Sequence, residues 1–397
     1  MSKWSSMKVL VIGVNTRHIA CSASRAGYTV YTLSRFNDVD LKTCSDRSVI
    51  HDMHDVHDLD LPELVLYIRT LLPVDFIVLG PGFEHLGNWV EKITQGSVPV
   101  LNNPTHIFNK ISDKAWLAEK LKILNLPHPF TIPLDCLDTP EDWTGGYPAI
   151  IKPRLGAGGM ENRLVSDIKY LEMTMAVPEC GQYLLQEYIK GTVASVSIIS
   201  TGKQAVAIAV NEQLAGIDTL TGMPFAYCGN ITPYLSDHNE WMRETSMNLA
   251  MELELVGSNG VDFIITDKGP VILEVNPRFQ GSIDTVERSA GLNIFRLHHE
   301  SFQGKLPVCG DNQCFSIKTI FFAPQRLVVE KRGYDYLVQC YNEGTAADVP
   351  SEGTVCEKDD PVVSFLSNGN SKTEVVRQAE QLVSGLIDTI EDTHSEV

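Results

Sequence analysis

Glu274-Val275-Asn276-Pro277-Arg278 follows the apolar run Val271-Ile272-Leu273 and decides how the chain reads. An acid, an apolar residue and an amide alternate along a short strand, and proline then turns it onto an arginine. Side chains two apart on a strand share a face. Glu274 and Asn276 therefore offer oxygens to one hard cation, with the Arg278 guanidinium close behind. Oxygen-only ligation beside a fork of donors suits Mg²⁺ carrying polyphosphate, so the stretch reads as part of an ATP site.

The neighbouring sequence supplies further oxygens and cations. Asp262, in Val261-Asp262-Phe263, precedes Glu274 by 12 residues. The turn Asp267-Lys268-Gly269-Pro270 has hairpin chemistry and would bring the two acids together. An acid flanked by Val and Phe on a strand is costly unless paired or metal-bound, so Asp262 is either a third oxygen ligand or half of a salt bridge. Upstream, Ile150-Ile151-Lys152 ends at a glycine-rich loop containing Gly156, Gly158 and Gly159. Glycines let backbone N–H groups approach phosphate oxygens, and lysine adds a point charge. No Gly-Lys-Ser/Thr follows, so this is not a Walker A loop. Leu184-Leu185-Gln186-Glu187-Tyr188-Ile189 is an apolar strand ending in an acid, an aromatic and an aliphatic residue. Such an edge can pair with an adenine, and it can equally be a core strand with one exposed acid.

The 397 residues suffice for two or three domains. Fifty acidic against 32 basic side chains give a net charge of −18, which argues against nucleic acid or an anionic membrane as partner. Nine cysteines without a CxxC or a dense pairing pattern suit a reducing cytoplasm. The start has no signal-peptide organisation, and no segment approaches ~20 apolar residues. Strands at Lys8–Gly13, Tyr28–Ser34, Phe76–Leu79 and Val98–Leu101, with helices at Arg17–Ala26 and Leu61–Leu72, predict a parallel sheet covered by helices. Its ligands would lie beyond the carboxyl ends of the strands, near Asn15-Thr16-Arg17. A helix Ser112–Leu124 capped by Ser112 follows. The middle of the chain alternates strands with a helix at Glu240–Leu253 as mixed α+β. Strands Cys314–Phe322 and Val362–Leu366 and a terminal helix Lys372–Asp392 end the chain.

The order Asp113-Lys114, Lys152 with its glycine loop, Glu187-Tyr188-Ile189, Asp262, then Glu274 to Arg278 resembles the ATP-grasp superfamily. In that superfamily two α+β subdomains close on Mg-ATP. The resemblance implies a Rossmann-like pre-ATP-grasp domain over 1–104, and an ATP-grasp domain over 105–305, divided into 105–190 and 191–305. A C-terminal α+β region over 306–397 completes the fold, of class α/β and α+β. It also implies that Lys114 and Lys152 contact phosphates beneath a lid formed by the glycine loop. Glu187, Tyr188 and Ile189 would frame adenine, and Asp262, Glu274 and Asn276 would hold two Mg²⁺ ions, or Mn²⁺ in their place. An acid for the ribose is missing from Gly191-Thr192-Val193-Ala194-Ser195, a departure from many members.

Gly13-Val14-Asn15-Thr16-Arg17, Tyr227-Cys228-Gly229-Asn230-Ile231-Thr232-Pro233 and Asn276-Pro277-Arg278-Phe279-Gln280-Gly281-Ser282 are similar to a carboxylase-related ligase branch. Biotin carboxylases place Val-Glu after the glutamine, and that glutamate is the base acting on bicarbonate. Serine holds no proton-accepting charge at neutral pH, so Gly281-Ser282 removes that base. The resemblance then implies a cytoplasmic carboxylate–amine ligase passing through an acylphosphate, with Arg278 and Lys152 catalytic. Its partners would be small-molecule substrates and a second copy in a homodimer. Arg17, Asn230 and Ser282 are candidate substrate contacts, and Arg17 reads equally as a first-turn arginine. The alternatives are a bicarbonate-using or carbamoyl-phosphate-type enzyme and a non-catalytic ATP-binding regulator. His51, His54 and His57 read as a polar loop more than a metal face. His298-His299 reads as a surface or capping pair, and Asp284 and Glu287 as helix-capping or solvated acids.

Overall fold

A computed structural model describes residues 7–51, 65, 68, 70, 72–96, 98–176, 180–310 and 312–394. The expected helix Leu61–Leu72 falls mostly outside these residues, as do His54 and His57.

Lys8–Gly13 (β1) is apolar on both sides, as a strand covered on both faces must be. It pairs in parallel with Thr29–Ser34 (β2) and Phe76–Leu79 (β4), and β2 pairs with Arg47–Ile50 (β3). Val9 and Val11 pack on one side with Ile19, Phe279 and Phe295, while Leu10 and Ile12 pack on the other with Phe83 and Phe108. The expected strand Val98–Leu101 is reduced to a single bridge, Val100 to Ile77. Pro99 has no N–H to extend the ladder.

A small antiparallel sheet follows, Thr131–Pro133 (β5), Ala149–Pro153 (β6), Arg163–Val165 (β7) and Tyr183–Glu187 (β8), in the order β5-β8-β6-β7. It has its own core of Leu134, Trp143, Ile151, Leu171 and Leu185. The large sheet contains Thr192–Thr201 (β9), Ala205–Ala215 (β10), Tyr227–Thr232 (β11), Val256–Thr266 (β12), Gly269–Asn276 (β13) and Phe315–Phe322 (β14). Beyond a ribbon of Leu327–Val328 (β15) with Val355–Cys356 (β17), Ala346–Ala347 (β16) and Pro361–Gly369 (β18) complete it. Its order is β13-β12-β9-β10-β11-β14-β18-β16. The C-terminal strands thus continue the sheet begun before residue 305. Gly229 allows this continuity: its φ is +116°, and a Cβ there would lie 1.9 Å from the Lys318 carbonyl oxygen. Strand β11 is absent from the sequence reading because Gly and Asn interrupt its pattern.

Three local readings change. Ser112 ends a helix at Thr105–Ser112; Asp113 caps the next one, Lys114–Ile123, accepting from the Ala115 N–H at 3.0 Å. Its carboxylate also receives Arg154 Nε and Nη2 at 2.8 and 2.7 Å, contacts a serine hydroxyl could not match. Cys21 and Cys44 form a disulfide between two helices, Arg17–Arg25 and Val39–Cys44, which the 23-residue spacing did not signal. His298 and His299 are buried, not surface or capping residues. His298 Nδ1 accepts from the Ser258 N–H, and Nε2 faces the Leu101 carbonyl, both at 2.9 Å. That pattern selects the neutral imidazole with its proton on Nε2.

Burial pushes the His298 and His18 pKa values down to about 3. Below about pH 6.5 the unfolded chain takes up these protons and the folded chain does not, so stability falls with pH towards about 3. Each histidine contributes a slope of up to about 1.4 kcal/mol per pH unit. Melting curves between pH 7.5 and 5 should show a falling midpoint, with a shallower fall in His298→Gln.

Candidate functional site

The β12–β13 hairpin is antiparallel, and its register sets Asp262 directly opposite Glu274. Burial, then repulsion from Glu274, pushes the Asp262 pKa up to about 7. Asn276 Nδ2 donates to Asp262 Oδ2 at 2.9 Å, and Gln213 Nε2 donates to Oδ1 at 2.8 Å. Two facing acids and an amide, with amide protons supplying part of the missing positive charge, form a donor set that fits a divalent cation. No cluster of three or more His, Cys, Asp or Glu able to hold a metal occurs among the described residues. The set matches Mg²⁺, which keeps waters and takes phosphate oxygens beside one or two carboxylates.

Cations converge on the same acids from other parts of the chain. Lys114 Nζ lies 3.6 Å from Glu274 Oε1 and donates to the Gly156 carbonyl at 2.6 Å. Lys152, at the end of β6, is buried, which pulls its pKa down to about 8; Glu274 opposes the shift and Lys114 adds to it. Arg278 is buried beyond the turn that follows β13. Burial alone would lower its pKa, but Glu84, Glu274 and Asp262 together raise it. Its Nε donates to Glu84, and its Nη1 donates to the Phe279 carbonyl at 3.0 Å.

The glycine loop closes over one side. Gly156, Gly158 and Gly159 all have positive φ, and the Gly158 carbonyl accepts from the Tyr227 N–H at 3.0 Å. A Cβ on Gly159 would stand 2.2 Å from the Phe225 carbonyl oxygen. Glu187 ends β8, where its N–H donates to the Phe130 carbonyl at 2.8 Å; Tyr188 is exposed and Ile189 half-buried. Beside them Lys114, Thr131, Gln186, Ile272 and Leu273 line a narrow cleft between the small sheet and β13.

Arg17, Asn230 and Ser282 are not brought to this cluster as open receptors. Arg17 binds Asp284 through Nη1 and Nη2 at 2.6 and 2.8 Å, and Asp348 through Nε and Nη2, both at 2.9 Å. Asp40 lies 3.3 Å from its Nε, and Lys318 Nζ lies 3.2 Å from Asp284. The expected carboxylate receptor is therefore the centre of an internal ion network. Asp284 is buried, its pKa driven well down by Arg17 and Lys318 against the cost of burial. Glu287 is buried as well and takes Arg25 at 2.5 Å. Neither acid is solvated. Asn230 donates to Thr232 and Thr285 at 3.1 and 2.6 Å and accepts from the Tyr227 hydroxyl at 2.9 Å, with no exposed surface. Ser282 is buried, with its Oγ 3.3 Å from that of Ser197.

Glu84, Gln213 and Asn103 were missed by sequence reading. Asn103 donates to the Pro277 carbonyl at 2.8 Å and accepts from the Val256 N–H at 2.7 Å. For Glu84 a signal existed: it lies in the loop beyond the carboxyl end of β4, where ligands of a parallel sheet are expected.

Paired acids on one hairpin, with lysines and an arginine gathered round them beside a glycine loop, make the charge pattern of a nucleotide-phosphate site. Residues 111–282 match the family model described as an ATP-grasp domain. An uncharacterized protein of Methanocaldococcus jannaschii is 27% identical over 385 residues, 93% of this chain and 90% of the relative. The carbamoyl phosphate synthase large chain of Pyrococcus furiosus is 25% identical over 256 residues, 62% of this chain but 24% of the relative. Among solved structures, N5-carboxyaminoimidazole synthetase of Staphylococcus aureus superposes with a TM-score of 0.70 at 16% identity, covering 96% of this chain and 99% of that one. The biotin carboxylase domain of Hydrogenobacter thermophilus 2-oxoglutarate carboxylase, solved as a dimer with MgADP and bicarbonate, gives 0.70 at 15% identity, covering 94% and 88%. At these identities the two structures establish the fold. Among the described residues no helix is long and apolar enough to cross a membrane.

The contact at Gly159 yields a test. Gly159→Ala should force the loop off Phe225 and weaken binding of MgATP by about tenfold, a loss of about 1.4 kcal/mol, measured by calorimetry.

Proposed function

We propose that this chain is an ATP-dependent ligase that activates a small-molecule carboxylate as an acylphosphate and joins it to an amine. The observation that carries the reading is the convergence of Lys114, Lys152 and Arg278 on Asp262 and Glu274 beneath the glycine loop. Transfer of a phosphoryl group to a carboxylate requires two anions to meet, so the site must supply positive charge already in place. Asp262, Glu274 and Asn276 would hold Mg²⁺, which when bound supplies charge to the phosphate oxygens. Lys114 and Lys152 bind phosphate oxygens, and with a pKa of about 8 Lys152 stays largely charged at neutral pH. Glu187, Tyr188 and Ile189 frame the adenine. Arg278 offers donors from one guanidinium plane to the phosphoryl and to the acyl oxygen. The glycine loop keeps water from the acylphosphate until the amine arrives. ATP is converted to ADP and phosphate. Pairing into a homodimer, as in the dimeric biotin carboxylase neighbour, belongs to the same reading.

Gly281-Ser282 supports an amine as acceptor, because Gln280 accepts from the Ser197 hydroxyl, which lies 3.3 Å from Ser282 Oγ, and neither hydroxyl is a base. A second reading, a bicarbonate-using or carbamoyl-phosphate-type enzyme, is favoured by the Pyrococcus furiosus relative. ADP release screened over carboxylates and amines, with mass detection of product, separates the two. Release that needs an acid and an amine supports the ligase, whereas release that needs bicarbonate supports the second reading. With the acceptor in hand, Glu274→Gln should lower turnover by about a hundredfold or more while nucleotide affinity falls far less. Equal losses in both would remove the metal role from Glu274.

A further inference from the structure

Glu84 lies in the loop Gly80-Pro81-Gly82-Phe83-Glu84 beyond β4, 194 residues from Arg278, yet the two side chains meet. Both are buried, at 7% and 8% side-chain exposure. Each Glu84 oxygen has a donor: Oε1 takes Arg278 Nε, and Oε2 takes the Gly82 N–H at 2.9 Å. Arg278 Nη1 is fixed in turn by the Phe279 carbonyl. A planar guanidinium held at Nε and at Nη1 cannot rotate, so its remaining donors point in one direction. The first domain also grips the preceding residue, through Asn103 on the Pro277 carbonyl.

A buried ion pair is a poor device for stability alone, because desolvating two charges costs about as much as their attraction returns. Here the pair stands two residues beyond Asn276, and Arg278 feels the charges of Glu274 and Asp262. We propose that Glu84 is a positioning residue: the first domain supplies the carboxylate that aims Arg278 at the transferring phosphoryl group. The inference rests on the phosphoryl-transfer reading of the site. It gives the first domain a part in the reaction at the ATP end, apart from any contact with the substrates.

The test needs no knowledge of the acceptor. Affinity for MgADP alone and for MgADP with aluminium fluoride, a mimic of the transferring phosphoryl group, is measured by calorimetry on the full chain and on Glu84→Gln and Glu84→Asp. Melting curves are recorded alongside. The wild-type chain should bind the mimic more tightly than MgADP. Glu84→Gln should lose about tenfold or more of that enhancement while its affinity for MgADP changes by less than about threefold. Glu84→Asp, which keeps the charge and shortens the reach, should lie between them, and it carries the test if the glutamine variant does not fold. Full enhancement in either folded variant overturns the proposal, as does an equal loss of MgADP and mimic binding in both. A wild-type chain that binds MgADP with no enhancement overturns the phosphoryl-transfer reading itself, and the role of Glu84 with it.

Discussion

Asp262 and Glu274 face each other across a hairpin, and like charges at facing positions repel. The Asn276 amide of the hairpin and the Gln213 amide of β10 donate to Asp262 and offset part of that repulsion. The cations come from three separate elements: Lys114 from a helix that packs on the large sheet, Lys152 from the small sheet, Arg278 from the turn after β13. The site is therefore an electrostatic meeting point, which forms only when these elements are together. The site is a set of charges whose positions the fold fixes.

The parts differ in how firmly they are joined. Arg17, Asp40, Asp284, Lys318 and Asp348 tie the first domain, the large sheet and the C-terminal strands through one buried network. Breaking such a network by removing one member leaves an uncompensated buried charge, which is far costlier than losing a surface pair. Asn103 and Glu84 add two more ties at the turn after β13.

Much of this was legible because some signals are local. The continuous apolar run of β1 and the turn between β12 and β13 each depend on a few adjacent residues, and the structure contains both. Long-range partners left no mark. Arg17 carries nothing in its neighbourhood to announce Asp284 and Asp348, which lie 267 and 331 residues away. The burial of His298 beneath Leu101 and Ser258 is equally a product of packing between domains. Strand β11 was hidden because Gly229 answers to the close approach of β14 and not to strand propensity. The placement of Asp262, Glu274 and Asn276 on one hairpin was legible; the orientation of Arg278 was not, since Glu84 sits in another domain.

The small sheet has a core of its own and meets the rest through polar contacts near the glycine loop: Arg154 on the Asp113 carboxylate, Lys114 on the Arg154 and Gly156 carbonyls, and Tyr227 on the Gly158 carbonyl. A body so built can swing without unpacking anything. The buried ion network ties the remaining parts more firmly than these rim contacts tie the small sheet. Nucleotide entry and release would follow the rate at which the polar contacts of Asp113, Lys114 and Tyr227 let go, not the rate at which any core is disturbed.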